Sequence, residues 1–192
     1  MGSIQAVTQL SATHRSTDLE ALFEQCFNGD YQTLLIGGAD EPLYRPSTTP
    51  SQPHRIFYRA DYFASALHEI AHWCIAGAER RLLEDWGYWY CPDGRSPEQQ
   101  RAFEAVEVLP QSIEWMFSVA SAMPFRISSD NLLAGNNLAE EGSDFHRALA
   151  AQVLNYRRLG LPPRAARFFL ALGECYGVAD PLAARHYKLA TP

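Results

Sequence analysis

The stretch "YFASALHEIAHWCIAG" (residues 62–77) decides how the rest of the chain is read. Phe63, Leu67, Ile70 and Cys74 recur at intervals of three and four, which predicts an amphipathic helix over residues 61 to about 81. Asp61 suits the positive N-terminal end of that helix, and Arg80 and Arg81 the negative C-terminal end. Within it, His68 and His72 stand four residues apart, with Glu69 directly after the first. Residues at this spacing lie one above the other, about 6 Å along the axis, so two imidazoles can converge on one ion. The plain alternative is a polar helix face whose histidines bind nothing. The H-E-x-x-H frame on a strongly periodic helix favours the metal. Ser65, Ala76 and Glu79 share that face and are mostly small, which leaves room above it.

Two histidines do not complete a site, because catalytic metal centres usually add a third protein ligand and keep a position open. Glu79 lies seven residues past His72, about 10 Å along the axis and out of bonding reach. The acid-rich stretch "FEAVEVLPQSIEW" (103–115) offers Glu104, Glu107 and Glu114 instead. Glu107 is the first choice: it is flanked by Val106 and Val108 just before a break expected at Pro110, where backbone geometry can turn it inward. Glu104 falls one turn earlier and can share the site. Glu114 shares a helical face with Ser118 and Ser121, which reads as a solvated side. An exposed helix carboxylate is the competing account of each. His54 and His146 lack a patterned partner and read as structural or surface residues.

Spacing alone points to a zinc hydrolase with Glu69 as general base toward a zinc-bound water. Two histidines and one carboxylate equally suit ferrous iron, with positions open for oxygen and substrate. Ligand types do not separate Fe(II) from zinc.

Around this helix, residues 17 to about 28 read as a helix from Leu19, Leu22, Phe23, Cys26 and Phe27. "TLLIGG" (33–38), "RIFYR" (55–59) and "WGYWYC" (86–91) read as strands, and the proline-rich "PLYRPSTTPSQP" (42–53) as a surface loop. Ser96, Pro97 and Gln99 make a capped start for a helix expected to stop at Pro110, with another from Pro110 to about Ala122. Two more, about 144–158 and 163–176, are bounded by Gly160, Pro162, Pro163 and Gly177. Strands early and helices late predict an α+β fold: a small mixed sheet packed against several helices, with the metal-binding helix central. One domain over residues 1–192 is expected, with a terminal extension after about 177 that is free to be flexible.

Composition narrows the function classes. Net charge is −6, from 22 acids and 16 bases, and Lys188 is the sole lysine, so no basic block exists to neutralise a phosphate backbone. Direct nucleic-acid binding is disfavoured. No membrane-spanning apolar run and no signal-peptide pattern appear, and Cys26, Cys74, Cys91 and Cys175 form no C-x-x-C pair, which together fit a reduced cytoplasm. Cys74, on the apolar stripe, reads as a buried inert thiol. "GYWYCPDGR" (87–95) gathers aromatics, a carboxylate and a guanidinium beside a turn and can form a pocket wall, although a core strand with an ordinary turn explains it equally.

Four blocks, "LIGGADEPLY" (35–44), "YFASALHEIAHWCIAG" (62–77), "GYWYCPDGR" (87–95) and "FEAVEVLPQSIEW" (103–115), resemble the bacterial elongation factor P hydroxylase family in sequence and order. The similarity extends from about Asp18 through "RAARFFLAL" (164–172). "RPSTTPSQP" (45–53) and "AGNNLAEEGSD" (134–144) match no family motif. The resemblance implies a non-haem Fe(II) monooxygenase that uses molecular oxygen to hydroxylate a lysyl side chain of elongation factor P already extended by β-lysine. It also implies a fold similar to a small metal-dependent ribonuclease family rather than the double-stranded β-helix usual in oxygenases. On this chain His68 and His72 match the paired histidines and Glu107 takes the carboxylate's place. Glu69 then orients a ligand or the cationic substrate rather than acting as a hydrolytic base.

Overall fold

In the computed structural model, residues 14–86, 95–128 and 143–187 are described. The order is α1 (Ser16–Tyr31), β1 (Thr33–Ala39), β2 (Leu43–Arg45), β3 (His54–Arg59), α2 (Phe63–Ile75), α3 (Pro97–Ala120), α4 (Asp144–Leu159) and α5 (Pro163–Cys175). The sheet has the order β1-β3-β2, with β3 parallel to β1 and antiparallel to β2. This is the α+β arrangement expected, with five helices and a small mixed sheet among the described residues. None of the described helices is long and apolar enough to cross a membrane.

A helix becomes central when its apolar surface extends around most of its circumference. In α2, Phe63, Ala66, Leu67, Ile70, Ala71, Trp73 and Cys74 are all buried, and the helix packs against α1, α3, α5, β1 and β3. Trp73 meets Phe27 and Phe23 of α1 edge-on, at ring separations of 4.8 and 5.1 Å. Phe168 of α5 stands 5.3 Å from Phe117 of α3 and joins the same core. Each such ring contributes about 1.5–3 kcal/mol by leaving water.

Helix α2 is shorter than its periodicity predicts, and the reason lies at its end. Ala76 leaves helical geometry, and the last carbonyls are taken by guanidinium groups from elsewhere. Arg164 of α5 donates to the Trp73, Cys74 and Ala76 oxygens at 2.9, 3.0 and 2.5 Å, and Arg81 returns from a 3-10 turn to reach Ala76 at 2.7 Å. Arg81 therefore serves the negative helix end from outside the helix. Glu79, beyond that end, is no longer on the histidine face.

Helix α3 departs in the opposite sense: Pro110 lies inside it and does not break it. The ring removes the N–H that would bond the Val106 carbonyl. Val106 lies at the surface, within reach of water, while buried Ile113, Met116, Phe117 and Ala120 hold the second half in the core. At its start, Ser96 Oγ accepts from Gln99 N and Gln99 Oε1 accepts from Ser96 N, the reciprocal cap expected. A further correction concerns "PLYR", where Leu43–Arg45 form β2 against β3, so three residues near the start of the predicted loop are a strand. Most of the strand expected over 86–91 lies outside the described residues; Asp85, just before it, bridges Tyr44. Beyond Gly177 the chain turns back, and the Tyr187 ring lies 6.0 Å from that of Trp115.

The sheet is joined to α1 by a polar lock. Glu20 Oε1 accepts from Tyr58 Oη at 2.8 Å and from Gly37 N at 2.9 Å. Tyr58 is fully buried, which pushes its hydroxyl up to about 12. Gly37 is required for this approach, because a Cβ there would stand 2.5 Å from the tyrosine oxygen.

Candidate metal centre

Where α2 packs on α3, the face carrying His68 and His72 meets a stripe of Glu107, Gln111 and Glu114. These α3 residues are spaced by four and three, so one unbroken helix presents all of them on one side. Glu107, Gln111 and Glu114 are buried, at 3%, 0% and 8% exposure, in a position where solvent cannot readily satisfy them.

His72 Nε2 lies 3.0 Å from His68 Nε2 and 3.2 Å from Glu107 Oε1, and His68 Nε2 lies 3.7 Å from Glu107 Oε2. One donor atom from each of the three falls within 4.8 Å of the others, so the group could hold a metal ion. Donors bonded at about 2.1 Å stand about 3.0 Å apart around an octahedral ion and about 3.4 Å around a tetrahedral one. The separations suit either, so the residues fit a metal without selecting one.

The surroundings prepare these donors. A carboxylate only accepts, so His68 Nδ1 donates to Glu114 Oε2 at 2.8 Å, which turns Nε2 toward His72 and Glu107. Gln111 Nε2 donates to Glu107 Oε2 at 3.2 Å and to the Ser128 carbonyl at 2.8 Å. Burial alone would push Glu107 up, but the imidazoles of His72 and His68 and the hydrogen bonds from His72 and Gln111 outweigh it and hold the carboxyl at about 2. Burial disfavours charge on His68; its bond to Glu114 and the carboxylates of Glu114, Glu107 and Glu69 override this and raise it well above its ordinary value. Half-buried Glu69 is raised, first by burial and then by Glu107 and Glu114, against the pull of both histidines.

Glu104 accepts from Gln100 at 3.0 Å and is not part of the cluster. Glu114 is not solvated, and Ser118 and Ser121 on its face are buried at 3% and 0% exposure: that face is interior because α3 continues past Pro110 against α2 and α5. His54 stacks beside Tyr44 and accepts from Ser47 N, and buried His146 lies beside Trp115; neither joins the centre. Cys74 is buried and unpaired by disulfide, its thiol pushed up by burial. Residues 87–94 of the aromatic segment lie outside the described residues. Sequence reasoning missed Gln111 altogether; its signal was its place midway between Glu107 and Glu114 on one helical face.

Fold and site define an α+β protein with a candidate two-histidine, one-carboxylate metal centre between two helices. A family model described as elongation factor P hydroxylase matches residues 22–187. A relative from Haemophilus influenzae, the elongation factor P lysine hydroxylase, is 44% identical over 169 residues, which cover 88% of this chain and 93% of that protein. The chain belongs to the elongation factor P hydroxylase family.

Proposed function

We propose that this protein is an iron-dependent monooxygenase that hydroxylates the β-lysylated lysine side chain of elongation factor P, with His68, His72 and Glu107 holding Fe(II). The observation that carries the reading is the convergence of these three side chains within 4.8 Å, in a chain that belongs to this family. Bound ferrous iron supplies the activation of dioxygen that an unreactive C–H bond requires. One oxygen atom enters the substrate and the other leaves as water, with two electrons and two protons from a reductant.

The chain's own residues hold and orient. His68 and His72 present Nε2 lone pairs from successive turns of α2, and Glu107 offers a carboxylate that stays ionised across the working pH range. Glu69, Glu107 and Glu114 gather carboxyl groups around the two histidines, an acidic setting suited to an ammonium-bearing side chain. Glu69 stands beside the donors and receives that ammonium group; Glu69→Gln is expected to raise KM about tenfold with metal content unchanged.

The test is the intact mass of β-lysylated elongation factor P after incubation with anaerobically iron-loaded protein, then air and reductant. A gain of one oxygen atom that depends on iron supports the proposal. Cleavage of the substrate, or turnover with zinc alone, would assign Glu69 the role of hydrolytic base instead.

A further inference from the structure

We infer that Glu114 is a positioning residue that fixes the proton of His68 on Nδ1 and so selects Nε2 as its metal-binding atom. The inference rests on the metal-centre reading above. A neutral imidazole offers one lone pair, and either ring nitrogen can carry it. Only the tautomer protonated on Nδ1 serves this centre, because Nε2 faces His72 at 3.0 Å and Glu107 at 3.7 Å while Nδ1 faces Glu114. Glu114 Oε2 lies 2.8 Å from Nδ1, and the Glu114 side chain is 11% exposed, so little water competes for that bond. The carboxylate is thereby held behind the ligand, where it orients the ring and strengthens the donor nitrogen opposite. Its location on α3 matters as much as its chemistry. Glu107 and Glu114 lie seven residues apart on a continuous helix, so one rod supplies both the candidate ligand and the group that aims the other ligand.

The experiment uses zinc as a diamagnetic probe of the full-length protein, with affinity measured by chelator competition and the His68 ring observed by nitrogen-15 NMR. The wild-type zinc form is expected to show a slowly exchanging Nδ1–H signal and a metal-bonded Nε2. Glu114→Ala is expected to lose that signal and bind zinc tenfold to a hundredfold more weakly. Glu114→Gln retains an acceptor oxygen without the charge; it keeps the signal, with affinity between the two, and tests the inference even if the alanine variant does not fold. Affinities within twofold of wild type in both variants, or zinc bonded through Nδ1, would overturn the inference alone. Failure of the wild-type protein to bind zinc would instead overturn the metal-centre reading on which it rests.

Discussion

Two polar clusters among the described residues are built to opposite rules. In the lock between α1 and the sheet, Glu20 accepts from Tyr58 and Gly37, and each donor finds its acceptor within the chain. Between α2 and α3, two imidazoles and Glu107 bring potential ligand atoms within 4.8 Å of one another, a group that could hold a cation. A closed set of donors and acceptors contributes stability. A convergent set of acceptors is complete only with a cation.

The contrast is broken most sharply at the histidines. His68→Ala or His72→Ala should weaken metal binding by more than a hundredfold and abolish oxygen incorporation while leaving the fold intact, checked by metal analysis and circular dichroism. Glu20→Ala should do the reverse: a loss of about 1–3 kcal/mol in denaturant unfolding, because Tyr58 is left buried without its acceptor, and unchanged metal affinity in the folded fraction. Gly37→Ala should act in the same direction, since its Cβ presses on the same tyrosine.

The pH dependence sharpens the contrast. His68 is raised above its ordinary 6.5 in the metal-free fold, so its contribution to stability is fully present below 6.5 and is lost as pH rises through the raised value. Metal affinity runs the other way, because an ion must displace that proton and therefore binds more tightly as pH rises. Glu107 adds a separate acid limb: held at about 2 against an ordinary 4.5, it contributes above 4.5 and loses that contribution as pH falls toward 2. Urea unfolding and metal titration at matched pH values would reveal both slopes. The smallest effect is expected at Glu104, where glutamine should leave metal affinity within twofold, because its partner is Gln100.

Much of this architecture was legible along the chain where periodicity and punctuation agree. The start of α3 was set by Ser96, Pro97 and Gln99, and α4 and α5 by the glycine and prolines between them. The failures share a cause: distant groups overrode a local signal. Arg164, 91 residues from Trp73, helps end α2 early, and the core holds α3 continuous across Pro110. A break at Pro110 would separate Glu107 from Glu114 and turn Glu114 toward solvent. Once the helix is continuous, both carboxylates and Gln111 fall on one stripe. Strand β2 was hidden because three residues are too few to show alternation beside four prolines.

Binding of one ion by side chains from two helices is tested most directly by anomalous diffraction from crystals loaded anaerobically with ferrous iron. One iron peak is expected, within about 2.1 Å of His68 Nε2, His72 Nε2 and a Glu107 oxygen, with Glu114 bonded to the far side of His68 and not to the metal. An iron atom bound elsewhere, or fully loaded crystals in which Glu107 takes no part, would contradict it.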